Sequence, residues 1–290
     1  MFVPVYLAAL AAIIFYALLP VAGAFVTRQQ WRLFRNSVSG AASLPVFGSH
    51  SPEAGRCRIQ GDVDALGGTS ELWISCRNAS VVIDLHEAWV YILTGRAGDD
   101  IIEKRRWKDL PSIGPGARVF IAGSVELTGG RFMISQTGKE APLVILHDGD
   151  DESVVRRSIW AGRHENEYWN PATQISMALG VVTMSGIVPM ALKSRMPPLI
   201  GALTLTMAFA PALALLPPGV AGFFVYRKFW RKARYCRARR DAEKLEGANG
   251  TGYISWQHRA NTATTASVLA LASALAVNGW LLIVLLRRLL

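Results

Sequence analysis

Four long apolar stretches, separated by polar and strongly basic segments, set the layout of the chain. Residues 1–27, 172–192, 199–226 and 263–286 are almost purely apolar. A helix rises 1.5 Å per residue, so each stretch is long enough for a hydrocarbon layer about 30 Å thick. The pattern predicts four transmembrane helices. The third contains Pro211 and the pair Pro217-Pro218, which predicts a kink or break near Pro217. Between the first and second stretches the period changes from helical to alternating. Residues 58–63, 72–76, 81–85, 88–93, 118–127, 131–135 and 142–146 read as short strands, punctuated by Gly67-Gly68 and Gly129-Gly130. Residues 56–147 therefore form a small all-β domain, a barrel or sandwich read as OB-like. The segments Ile59-x-Gly61-x-Val63 and Ile121-x-Gly123-x-Val125 echo each other. A glycine inside a strand lets another backbone approach closely.

The remaining segments connect these parts. Residues 28–55 are a basic juxtamembrane segment followed by a Ser/Gly/Ala/Pro-rich stretch, read as a flexible tether. Residues 148–171 open on acidic residues suited to a helix start and end in aromatic residues. Asn170 is placed to cap the next helix, with Pro171 at its first position. Trp31, Tyr168 and Trp169 are expected as interfacial anchors at the headgroup level. Residues 227–262 form a basic helix and loop.

Charge gives the topology. The net charge is +10, but it is unevenly distributed. Residues 37–171 hold 14 basic and 18 acidic side chains, whereas residues 227–261 hold 10 and 3. The excess lies beside the apolar stretches, so anionic lipid headgroups are the expected counter-charge and nucleic acid is not. Arg227, Lys228, Trp230, Arg231, Lys232 and Arg234 are the expected headgroup contacts. Sixteen basic residues flank one side of the four spans and four flank the other. The positive-inside rule then places the β domain and basic helix in the cytoplasm and both termini outside, in a bacterial inner membrane. With no basic residue before the first apolar stretch and three arginines after it, that stretch reads as a retained anchor rather than a cleaved signal. Cys57, Cys76 and Cys236 have neither disulfide-framework nor metal-ligand spacing, and free thiols are expected.

Chemistry is sparse. The spans contain no ionisable interior residue, which argues against an ion-coupled transporter or channel. Ala266, Ala270 and Ala274 recur every fourth residue in the last span, followed by Asn278. Small residues at this spacing allow close helix packing, either within the bundle or in a homo-oligomer. His147 with the acidic run after it lacks the ligand order of a calcium loop. No zinc-protease, phosphate-loop, dinucleotide or nucleophile-elbow motif is present. No cofactor or metal is expected. Asp84, His86, Glu87, His164 and Glu165 are the groups an enzyme would have to use.

The order of one span, an inward β domain and further spans resembles several membrane-anchored OB-type proteins of bacteria. It is also similar to the domain beside the membrane in some membrane ubiquitin ligases. The chain has no RING cysteine pattern, so that activity is not implied. The expectation is a multi-pass membrane protein whose β domain is a protein-interaction or assembly module. The alternative is a membrane enzyme acting on a lipid or membrane-linked substrate.

Overall fold

The computed structural model describes residues 3–48, 55–67, 71–76, 79–86, 88–95, 100–110, 113, 117–134, 141–164, 170–194, 196–245 and 251–289. The chain divides into two units. One comprises Met1–Gln30, Asn166–Arg240 and Gly250–Leu290, and the other Trp31–Glu165 and Asp241–Asn249.

Among the described residues, the second unit is built on eight strands: β1 (Gly55–Gly67), β2 (Glu71–Cys76), β3 (Ala79–Asp84), β4 (Trp89–Thr94), β5 (Ile101–Arg106), β6 (Arg118–Thr128), β7 (Arg131–Ile134) and β8 (Leu143–His147). Five of them close a barrel in the order β1-β2-β3-β7-β6, with β6 returning to pair with β1. The β3–β7 pair is parallel, and the other barrel pairs are antiparallel. β1 serves both of its neighbours by bending. Its first half pairs with β6 and its second with β2, with a register shift between Val63 and Ala65. At Gly61 a Cβ would collide with the Ser75 carbonyl and Ile74, so the missing side chain permits this close approach. The barrel interior holds Ile59, Leu72, Ile74, Val81, Ile83, Val119, Ile121 and Ile134, all fully buried.

β6 outlasts the barrel. Beyond it the sheet continues through β8 and β4 to β5. Here alternate residues face a second core. Val119 and Ile121 point into the barrel, while Phe120 and Ala122 meet Ile145, Leu93, Ile102, Phe34, Val38 and Ile159. Every residue of β8 is buried for this reason. The second core is covered by helix α3 (Val154–His164) and by the end of α2 (Leu19–Ala42).

In the first unit, α1 (Val3–Ala12) runs through a π-helical turn, Ile13–Leu18, into α2. Pro20 explains the turn. In it the Leu19 N–H bonds the Ile14 carbonyl, five residues back. Continuing that register, Phe15 O would need a donor from Pro20, which has none. Ser176 Oγ of α4 (Pro171–Lys193) donates to it instead. Gly180 abuts Phe15 and Tyr16, so the two helices pack closely. Asn170 caps α4 by accepting from Thr173 N at 3.1 Å, with Pro171 in the first turn.

The stretch 199–226 does not form one helix. It comprises α5 (Pro198–Ala208), a 3-10 turn Ala210–Leu215, and the start of α6 (Pro217–Leu245), which continues through the whole basic segment. Pro211, Pro217 and Pro218 remove three backbone donors within eight residues, so the α ladder cannot pass. Asn278 of α7 (Thr251–Leu289) is completely buried and donates from Nδ2 to Leu213 O in the turn, at 2.6 Å. Among the described residues, three helices are long and apolar enough to cross a membrane: Val3–Ala42, Pro171–Lys193 and Gly252–Leu289.

Two segments differ from the sequence reading. Residues 36–42, read as tether, remain helical. A stripe of Phe34, Val38 and Ala41 buries against the second core, and that packing outweighs the weak propensity of Ser37, Ser39 and Gly40. Residues 101–106, to which the sequence reading assigned no strand, form β5. The charged run Glu103-Lys104-Arg105-Arg106 leaves no apolar alternation to read.

Candidate binding groove and basic hairpin

On one face of the β4–β5 hairpin, Trp89 pairs across the strands with Arg106, and Tyr91 with Lys104. Rings and cations therefore alternate. Lys104 Nζ lies 4.5 Å from the Trp89 ring centroid and 6.0 Å from that of Tyr91. The Arg106 guanidinium lies 5.2 Å from the Trp89 ring centroid. Phe34 of α2 packs on Tyr91, with centroids 4.2 Å apart. Partial burial lowers the Lys104 pKa and raises that of the Tyr91 phenol.

Beside this hairpin runs an open groove of about 570 Å³. Its floor includes Trp89, Tyr91, Lys104 and Ala122. Its wall is one stripe of α2, namely Leu33, Ser37 and Gly40 with Asn36 and Ala41, continued by Leu44 just beyond the helix. A Cβ placed on Gly40 would meet nothing within 4 Å, so this glycine faces open space rather than a neighbour. The lining also includes Arg56 and, among the described residues, no acidic side chain. A second recess, of about 690 Å³, differs in charge: Arg58 and Arg156 share its lining with Asp150 and Glu152.

Behind the hairpin lies a buried ionic cluster. Arg157 Nε donates to Asp100 Oδ1 at 2.7 Å, and its Nη2 to Gly95 O at 2.7 Å and Asp148 Oδ1 at 2.9 Å. The Asp100 side chain is 1% exposed. His147, with no exposed side-chain area, has Nδ1 3.0 Å from Gly149 O and Nε2 3.4 Å from Asp151. Burial lowers the His147 pKa, against a smaller upward pull from Asp151. These groups staple α3 to the ends of β4 and β8, and no group of three or more possible metal ligands occurs among the described residues.

In the other unit, α6 and α7 lie antiparallel. Gly222 of α6 lies against Ala274 and the Ala270 carbonyl, and Gly219 against Asn278. Further along, Arg237 Nη2 donates to Thr264 Oγ1 at 2.7 Å, and Arg240 to Gln257. Tyr235 meets Trp256 edge-on at 6.2 Å. Trp230 is buried, with Tyr226 stacked on it and Arg234 and Arg237 over its ring. The inner arginines thus bind the hairpin together, while Arg227, Lys228, Arg231 and Lys232 remain exposed as one cationic face.

The expected residues distribute as follows. Ala270 and Ala274 face α6, Ala266 is half-buried, and Ser267, at 0% exposure, is the more buried neighbour. Trp31 packs edge-on against Phe34 in the second core. Tyr168, Trp169, Glu87 and Glu165 lie outside the described residues, as does the side chain of His164. Asp84 accepts from the His86 backbone at 3.1 Å in a local turn. Lys104 was missed by sequence reasoning. The signal was available in Trp89-x-Tyr91 opposed by Lys104-x-Arg106, but it becomes legible only once the two segments are known to pair. No family model matches the chain, and neither curated proteins nor solved structures provide a similar one.

Proposed function

We propose that this chain is a multi-pass inner-membrane protein whose β unit is an assembly module for a protein partner. The observation carrying this reading is the edge of the sheet. Among the described strands, β5 alone ends the order β1-β2-β3-β7-β6-β8-β4-β5 with one side unpaired. An open edge offers a row of backbone donors and acceptors to an incoming strand. Lys104, Arg105 and Arg106 deter indiscriminate pairing and favour an extended acidic segment. The five-stranded closure, with its single parallel pair, supports an OB-like description of the barrel. The broken stretch 198–226, sealed by Asn278, supports a fourth, discontinuous crossing. The basic bias supports a cytoplasmic β unit, outside termini, and anionic headgroups against Arg227, Lys228, Arg231 and Lys232. The test is a photocrosslinker at Ile101 (57% exposed) in the full-length protein in native membranes. A protein adduct that disappears with Arg105→Pro is the expected result. Absence of any adduct from Ile101, Glu103 and Arg105 overturns the reading.

A further inference from the structure

We propose that the groove between α2 and the β4–β5 hairpin binds a single-chain anionic amphiphile, an acyl or alkyl chain ending in a carboxylate or phosphate. This goes beyond the assembly role, because it uses a face of the hairpin rather than its edge. Three independent observations converge on it. First, the groove is open by composition: Ser37, Gly40 and Ala41 form the small-residue part of the α2 stripe, and Gly40 meets nothing within 4 Å of a Cβ position. Glycine within a helix costs stability unless space or backbone approach requires it, and no backbone approaches here. Second, the lining is amphipathic. Leu33, Leu44, Pro142, Leu143 and the ring of Trp89 offer an apolar track, and Lys104 provides a cation on its floor. Third, the charge is one-sided. Among the described residues the Lys104 ammonium faces two rings and no carboxylate; Glu103, its neighbour in sequence, is bound to Arg105 at 2.6 Å. The aromatic faces attract the ammonium without neutralising its charge, so Lys104 retains its attraction for an anion. The cavity, about 570 Å³, lies in the usual range for a small-ligand site.

The test uses the full chain in amphipol and native mass spectrometry with four probes: myristate, tetradecyl phosphate, tetradecanol and inorganic phosphate. The expected result is one molecule of myristate or tetradecyl phosphate retained, with neither tetradecanol nor inorganic phosphate held. The two retained probes separate a fatty-acid from a phospholipid-like source. Lys104→Gln should weaken retention about tenfold, which corresponds to the loss of about 1.4 kcal/mol. Gly40→Leu should abolish it by filling the groove, with thermal stability unchanged or raised, because leucine is the better helix former. Equal retention of the alcohol, retention undiminished in Gly40→Leu, or no retention of either anionic probe would each overturn the proposal. The Ile101 crosslinking result is independent of all these outcomes.

Discussion

Arg157 is the residue on which the β unit's polar interior depends. Its guanidinium is shared by Asp100, Asp148 and Gly95, and Asp100 has almost no access to water. Arg157→Gln should therefore cost about 3–5 kcal/mol, the usual penalty for stranding a buried charge. Chemical denaturation of the full chain checks this, and Asp100→Asn combined with Arg157→Gln should recover part of the loss. His147 adds a pH dependence whose direction follows from burial. Its folded-state pKa lies below the ordinary value of about 6.5, so the unfolded chain binds the extra proton first. Stability is complete above about pH 6.5 and falls as the pH drops from there toward the folded-state value. Melting temperatures between pH 5 and 7.5 should show this slope, and His147→Gln should flatten it. Asp148 is also held below its ordinary value through its Arg157 bond, but it acts lower, in the carboxylate range. The Cys57 thiol is pushed up to about 11 by burial, with Cys76 adding to the shift, so neutral-pH alkylation of the folded protein should spare it.

At the scale of elements, two repairs of interrupted helices stand out, and each is made by a polar side chain from a neighbouring helix. Ser176 supplies the donor that Pro20 denies to Phe15, and Asn278 supplies one to the 3-10 turn at Leu213. Ser176→Ala should destabilise the bundle by about 1 kcal/mol in a bilayer mimic. In a Pro20→Ala background the same substitution should be nearly silent, because the backbone then provides its own donor. Steric-trap or detergent unfolding of the four variants measures the coupling, and an equal loss in both backgrounds removes the explanation. Much at this scale was legible beforehand. Asn170 before Pro171 announced the α4 cap, and the prolines announced a broken third stretch. β5 was not legible, since an edge strand with four consecutive charged residues has no apolar alternation to read. The helical extension of α2 was hidden for the opposite reason: Ser, Gly and Ala read as linker until the core that recruits Phe34, Val38 and Ala41 is known.

For the whole molecule, the proposed orientation predicts the fate of a thiol at Ser124, an exposed position on β6. Ser124→Cys should resist a membrane-impermeant maleimide in intact cells and react after permeabilisation; labelling in intact cells reverses the topology. What the sequence by itself determined is which segments leave water and which carry charge: the apolar stretches, seven of the eight strands, the basic collar after residue 226 and the helix cap at Asn170. These follow from local periodicity and local chemistry, so a short window contains all the information. Only the tertiary structure decided how those segments meet. Barrel closure joins Gly55–Asp62 to Arg118–Val125, and the parallel β3–β7 pair joins residues some fifty positions apart. The two-sided burial of β8, the open edge at β5 and the groove beside Lys104 all arise from such pairings. They depend on which surfaces exclude water from one another, a property of distant segments together and of no single segment alone.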